Sequence, residues 1–218
     1  MAEETDGLIL PHLAYFFPGG TVVGRGTVQV SPSEGLAYLK TIARSLLRQG
    51  FRRQIWITLH GPAFATVSPL VREFFDESKV SILYIDGAQA LKRTNLDPSE
   101  FDKVLLGAYS IVGRLDDVPL NLNQPMPTPV EDPGLAKLQA LGPASGTLGF
   151  YFADPTQHGG PARPMTAAQR DAWAREGVAM IEAAVKALDM KGVVQAMRDH
   201  DRFTRETILP KYGDLLPR

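Results

Sequence analysis

At 218 residues, with 44% hydrophobic and 22% charged side chains, the chain is long enough for one large core and too ordinary for a disordered or fibrous protein, so one domain over residues 1–218 is expected. Its 23 basic and 24 acidic side chains leave no net field to gather nucleic acid or an anionic membrane, and a neutral small molecule or a protein is the expected partner. With no cysteine, disulfides, thiolate metal sites and a cysteine nucleophile are excluded.

The start, Met1-Ala2-Glu3-Glu4-Thr5-Asp6, is acidic and has no apolar leader core, and no window holds 18 apolar residues; a cytoplasmic protein is therefore expected. Gly7-Leu8-Ile9-Leu10, closed by Pro11, reads as a short buried strand that delivers His12 into a loop. The loop Phe17-Pro18-Gly19-Gly20 comes next, and Gly24-Arg25-Gly26 interrupts a strand that otherwise runs from Thr21 to Val30. Ser31-Pro32-Ser33-Glu34 is a capping box with proline at the first helical position. The helix it opens carries Leu36, Leu39, Ala43, Leu46 and Leu47 on one face and stops at Gly50.

Gln54 to Leu59 is a β-branched and aromatic run that delivers His60-Gly61-Pro62 at its carboxyl end. Ser68-Pro69 predicts a helix to about Glu77, and Val80 to Ile85 predicts a strand ending at Asp86. This alternation predicts an α/β fold with a mainly parallel sheet. Pro119 to Pro133 is too proline-rich for regular structure and reads as a long loop, a lid, or a segment reaching a neighbouring subunit. Gly146 to Phe152 is a glycine-spaced aromatic run leading to the turn-rich Asp154 to Pro161. A long helix after Thr166 carries Trp173, Val178, Ile181, Val185 and Leu188, and a C-terminal extension over 190–218 holds two helices, about Gly192–Asp199 and Phe203–Lys211.

Leu10-Pro11-His12, Phe17-Pro18-Gly19-Gly20-Thr21, Ala43-Arg44-Ser45-Leu46 with Gln49-Gly50-Phe51-Arg52-Arg53, and Leu59-His60-Gly61-Pro62 together resemble the creatininase (creatinine amidohydrolase) family. In that family a proline-ended strand leads to a Phe-Pro-Gly-Thr loop, a helix, and a strand ending in Asn-Gly-His-Gly-Gly-Asn. Gly149 to Pro155 and the helix with Glu176-Gly177 resemble its later Gly-x-x-Gly-Asp-Pro loop and final helix. The resemblance covers roughly residues 7 to 190, and it implies a three-layer α/β/α sandwich, an amidohydrolase ancestry and a homo-oligomer, commonly a hexamer.

The departures bear on mechanism. The family's Glu-x-His-Gly strand would precede the first residue of this chain, so its metal ligands, and that strand, are expected to be missing. Pro62 and Ala63 replace later positions of the histidine turn, and Leu105-Leu106-Gly107-Ala108-Tyr109-Ser110-Ile111 stands where the family has His-Ala-Gly-Glu-x-Glu-Thr-Ser. A two-metal centre needs several carboxylates and imidazoles converging on ions about 3.5–4 Å apart, so no metal cofactor is expected. A single zinc on His12, His60 and His158 is a minority alternative.

His60 is the leading candidate for acid–base work, because ligands of open α/β sheets bind outside the carboxyl ends of the strands; the alternative is a residue that only holds the turn. His12 and Tyr109 are the other catalytic candidates, Tyr109 either as a proton donor or as ordinary loop packing. Candidate substrate contacts are Tyr15 and Phe17 as aromatic walls, Arg25 for a carboxylate, Gly61 for close backbone approach, and Ser110, Asp154 and His158. Two functions follow: a creatininase-like enzyme acting on a small cyclic or aromatic amide, or a non-catalytic subunit that binds a ligand or partner.

Overall fold

The computed structural model describes residues 2–13, 15, 17, 19, 28–58, 60–87, 100–120, 130–134, 137–138, 153 and 165–216. Among these the chain is mostly helical, with one two-stranded parallel sheet. After a short helix α1 (Ala2–Thr5), the first long element is α2 (Pro32–Arg48). Its start is the capping box read from the sequence: the Ser31 hydroxyl accepts from the Glu34 amide at 3.2 Å, and the Ser31 amide donates to the Glu34 carboxylate at 3.1 Å. Gly50, at φ +93°, follows its end in the left-handed region.

Strand β1 (Gln54–Thr58) and strand β2 (Ile82–Asp86) pair in parallel, Gln54 beside Ile82 and Thr58 beside Asp86, and α3 (Phe64–Ser78) connects them. Alternation along each strand puts Gln54, Trp56, Thr58, Ile82, Tyr84 and Asp86 on one face. Trp56, Ile82 and Tyr84 pack with Leu39 and Ala43 of α2, Val67, Leu70 and Phe74 of α3, and Val80 just before β2. Gln54, buried on that face, is satisfied: its amide donates to the Ala43 carbonyl at 2.9 Å and its oxygen accepts from Trp56 Nε1 at 3.3 Å. Outside this core, Lys40 bridges Glu73 and Glu77, each at 2.6 Å, and Arg44 adds a contact to Glu77 at 2.6 Å. The paired carboxylates raise the Lys40 pKa, and Lys40 above all lowers that of Glu77.

A second core lies between α4 (Phe101–Ile111) and α5 (Ala167–Ala187), with Leu106, Ala174, Val118 and Met165 buried. The two helices touch backbone to backbone: a Cβ on Gly107 would overlap the Gly177 main chain, and one on Gly177 would overlap the Lys103 carbonyl. Helix α6 (Met190–Phe203) runs without a break through a π-helical turn (Thr204–Ile208) into α7 (Leu209–Tyr212).

Several expectations are corrected. Residues 7–10 form no strand, and Leu8 and Ile9 are exposed; no described segment pairs with them, and an unpaired strand leaves its backbone groups unsatisfied. Residues 28–30 are likewise not in a strand, while 21–27 lie outside the described residues. Helix α3 begins at Phe64 and contains Pro69 in its interior. Ala63, Val67, Leu70 and Phe74 form one buried stripe, and their burial outweighs the single intrahelical bond that Pro69 cannot make. Tyr109 and Ser110 lie on a helix and not in a loop. The two C-terminal helices are one continuous helical run, and α5 buries Ala174 and Gly177 where the larger apolar side chains were expected to dominate. Of the proline-rich segment, residues 119–120 and 130–133 have neither helix nor strand, and 121–129 lie outside the described residues. The aromatic run Gly146 to Phe152 lies outside them as well.

Candidate functional site

The parallel pairing of β1 and β2 brings their carboxyl ends to one edge, and the polar residues collect there. Thr58 ends β1 and Asp86 ends β2, directly in register. One step back, Tyr84 reaches along the same face, and its hydroxyl lies 3.0 Å from Thr58 Oγ1. Burial pushes the Tyr84 phenol above the ordinary tyrosine range; the Thr58 hydrogen bond pulls it part of the way back, and the Asp86 carboxylate adds a further upward push. At neutral pH the group is therefore a neutral O–H that can donate.

His60 follows β1 in extended conformation and caps a turn of 3-10 helix, Gly61–Ala63, its carbonyl accepting from the Ala63 amide at 3.1 Å. The side chain is exposed, and Gly61 is open to solvent with space where a Cβ would stand. Gly19 lies against this turn. It is buried at φ +108°, and a Cβ there would come within 2.8 Å of the Pro62 ring. Any residue but glycine would push the loop off the histidine turn.

The other candidates are dispersed or unplaced. Phe17 is half-buried on this loop, Tyr15 is exposed beside it, and His12 is exposed just before it. Tyr109 and Ser110 sit in the last turn of α4, whose main packing partner is α5, and the Tyr109 ring is exposed. Arg25, Asp154 and His158 lie outside the described residues.

Among the described residues no three His, Asp or Glu side chains come together around a point where one ion could sit. The segment that would supply the second family motif is the apolar helix α4, and its Val104, Leu106 and Gly107 are buried. The single-zinc alternative includes His158 and so lies in part outside the described residues.

No motif in the sequence alone marks Thr58, Tyr84 or Asp86 as site candidates. The signal that could find them is topological: two consecutive buried strands joined by one helix pair in parallel, so residues ending the second strand join those ending the first. Comparison with protein-family models, with curated proteins and with solved structures finds no match. No helix among the described residues is long and apolar enough to cross a membrane.

Proposed function

We propose that this chain is a divergent relative of the creatininase family, a three-layer sandwich assembled as a homo-oligomer, whose strand-end edge acts on a small cyclic or aromatic amide by acid–base chemistry without the family's two-metal centre. The observation that supports this reading is that both strands end at one edge, where the Tyr84 hydroxyl lies 3.0 Å from Thr58 Oγ1, Asp86 ends β2 beside Thr58, and His60 follows β1 at the turn against which Gly19 packs.

In hydrolysis, His60 takes a proton from water as the oxygen bonds to the amide carbon. The Tyr84 hydroxyl donates to the oxygen that gains charge, the role the sequence suggests for Tyr109. His60 then returns the proton to the leaving nitrogen as the C–N bond breaks. The second reading, ligand binding without turnover, is favoured by one observation: His60 is exposed, and an open site does not exclude water from the reacting groups.

Ring opening of a panel of cyclic amides, creatinine and hydantoins among them, by chelator-treated protein tests the proposal. Turnover that survives chelation supports it. Saturable binding of the same compounds with no product supports the second reading, and turnover that requires two metal ions per chain contradicts both.

A further inference from the structure

The sheet has a second edge with a different chemistry. At its amino end a cleft of about 160 Å³ opens between the strand starts and α6, lined by Arg52, Arg53, Val80, Ser81, Met197, Arg198, Asp201 and Arg205. Four guanidinium groups face one carboxylate. Asp201 is engaged by Arg52 through two hydrogen bonds, 2.6 and 3.3 Å, and by Arg205 at 3.4 Å. The described residues give Arg53 and Arg198 no ion pair, and both are exposed. The chain as a whole is close to neutral, so this local excess of positive charge is confined to a concave site.

We propose that this cleft binds the phosphate group of a small phosphorylated molecule. Guanidinium forks match the tetrahedral oxyanion through paired N–H donors and stay charged at every physiological pH. Asp201 holds Arg52 and Arg205 at fixed positions, so part of the site is ordered before the ligand arrives. Arg53 and Arg198 supply the charge that Asp201 does not neutralise. Val80 and Met197 give an apolar wall for the rest of the ligand. The cleft's size suits a small molecule. The site lies at the opposite end of the strands from His60 and does not depend on the catalytic reading.

Calorimetric titration of the full chain with inorganic phosphate and with pyrophosphate, at fixed ionic strength, tests the assignment. One saturable site per chain is expected, weakened about tenfold or more in R53Q/R198Q, since hydrogen bonds to charged groups are the strong ones. The single variant R198K, which keeps the charge and loses the fork, is also expected to bind more weakly, and it guards against a double variant that fails to fold. H60A is expected to bind phosphate as the parent does. Absence of saturation, or binding unchanged in both R198K and R53Q/R198Q, overturns the proposal. So does tighter binding of duplex DNA or phosphatidylserine vesicles through the same arginines.

Discussion

Arg52 and Asp201 stand 149 residues apart in the chain and meet through a forked contact. This pair ties the loop before β1 to α6. Arg52 above all holds the Asp201 carboxyl below the ordinary aspartate value of 3.8. A depressed folded-state pKa contributes stability that is fully present above the unfolded value and is lost as pH falls through the folded one. Asp201→Asn is therefore expected to cost about 1 kcal/mol at neutral pH, a size limited by solvent screening at a partly exposed pair. The gap between parent and variant should close as denaturant melts are repeated at pH values falling below 3.8. A gap that stays constant with pH would mean that the pair does not act through ionisation. At the other edge, Tyr84→Phe keeps the ring against the core and removes only the hydroxyl. It is expected to lower kcat about a hundredfold, the usual cost of losing one oxyanion donor, with little change in thermal midpoint. The place of His60 just past a strand is legible from the sequence, because a β-branched run leads to it. Tyr84 was hidden because a tyrosine within an apolar strand reads as packing until the partner strand's hydroxyl is known.

Among the elements, local signals held where the backbone decides and failed where packing does. The capping box of α2 is a short-range arrangement of Ser31, Pro32 and Glu34, and it forms as the sequence reads. The start of α3 is set by burial of Ala63 and Val67, a tertiary effect that the Ser68-Pro69 pair obscures. The α4–α5 contact was equally hidden, because two glycines in helices of ordinary appearance carry no sign that they face each other. Glycine to alanine within an isolated helix would stabilise by about 1 kcal/mol. At Gly177 the added methyl meets the Lys103 carbonyl, and backbone cannot move aside as a rotamer can. Gly177→Ala is expected to destabilise by about 1–3 kcal/mol net, read as a lower thermal midpoint. An unchanged or raised midpoint would show that the helices pack less closely than this.

Over the whole molecule, the α/β class was legible from the order of strands and helices, and β1–α3–β2 bears out the parallel pairing. The expected strand at residues 7–10 was not, since an apolar tetrapeptide carries no information about whether a ladder partner exists. The sheet face opposite α2 and α3 carries Ile55, Ile57, Leu83 and Ile85, with Ile57 51% exposed, which is compatible with the proposed oligomer. Sedimentation well above the 23.8 kDa of one chain is the outcome expected of that assembly, and a monomer at micromolar concentration would contradict it.

In the proposed function the strand-end edge works through His60. Removing its imidazole leaves no large apolar void at an exposed turn, so His60→Ala should cost about 1–2 kcal/mol in stability, as ordinary point variants do. General acid–base catalysis is worth about a hundredfold or more. The most direct measurement is the ratio of ring-opening rates of parent and His60→Ala, both chelator-treated, on the best cyclic amide of the panel. A fall of about a hundredfold or more in a folded variant is predicted; equal rates would contradict the account.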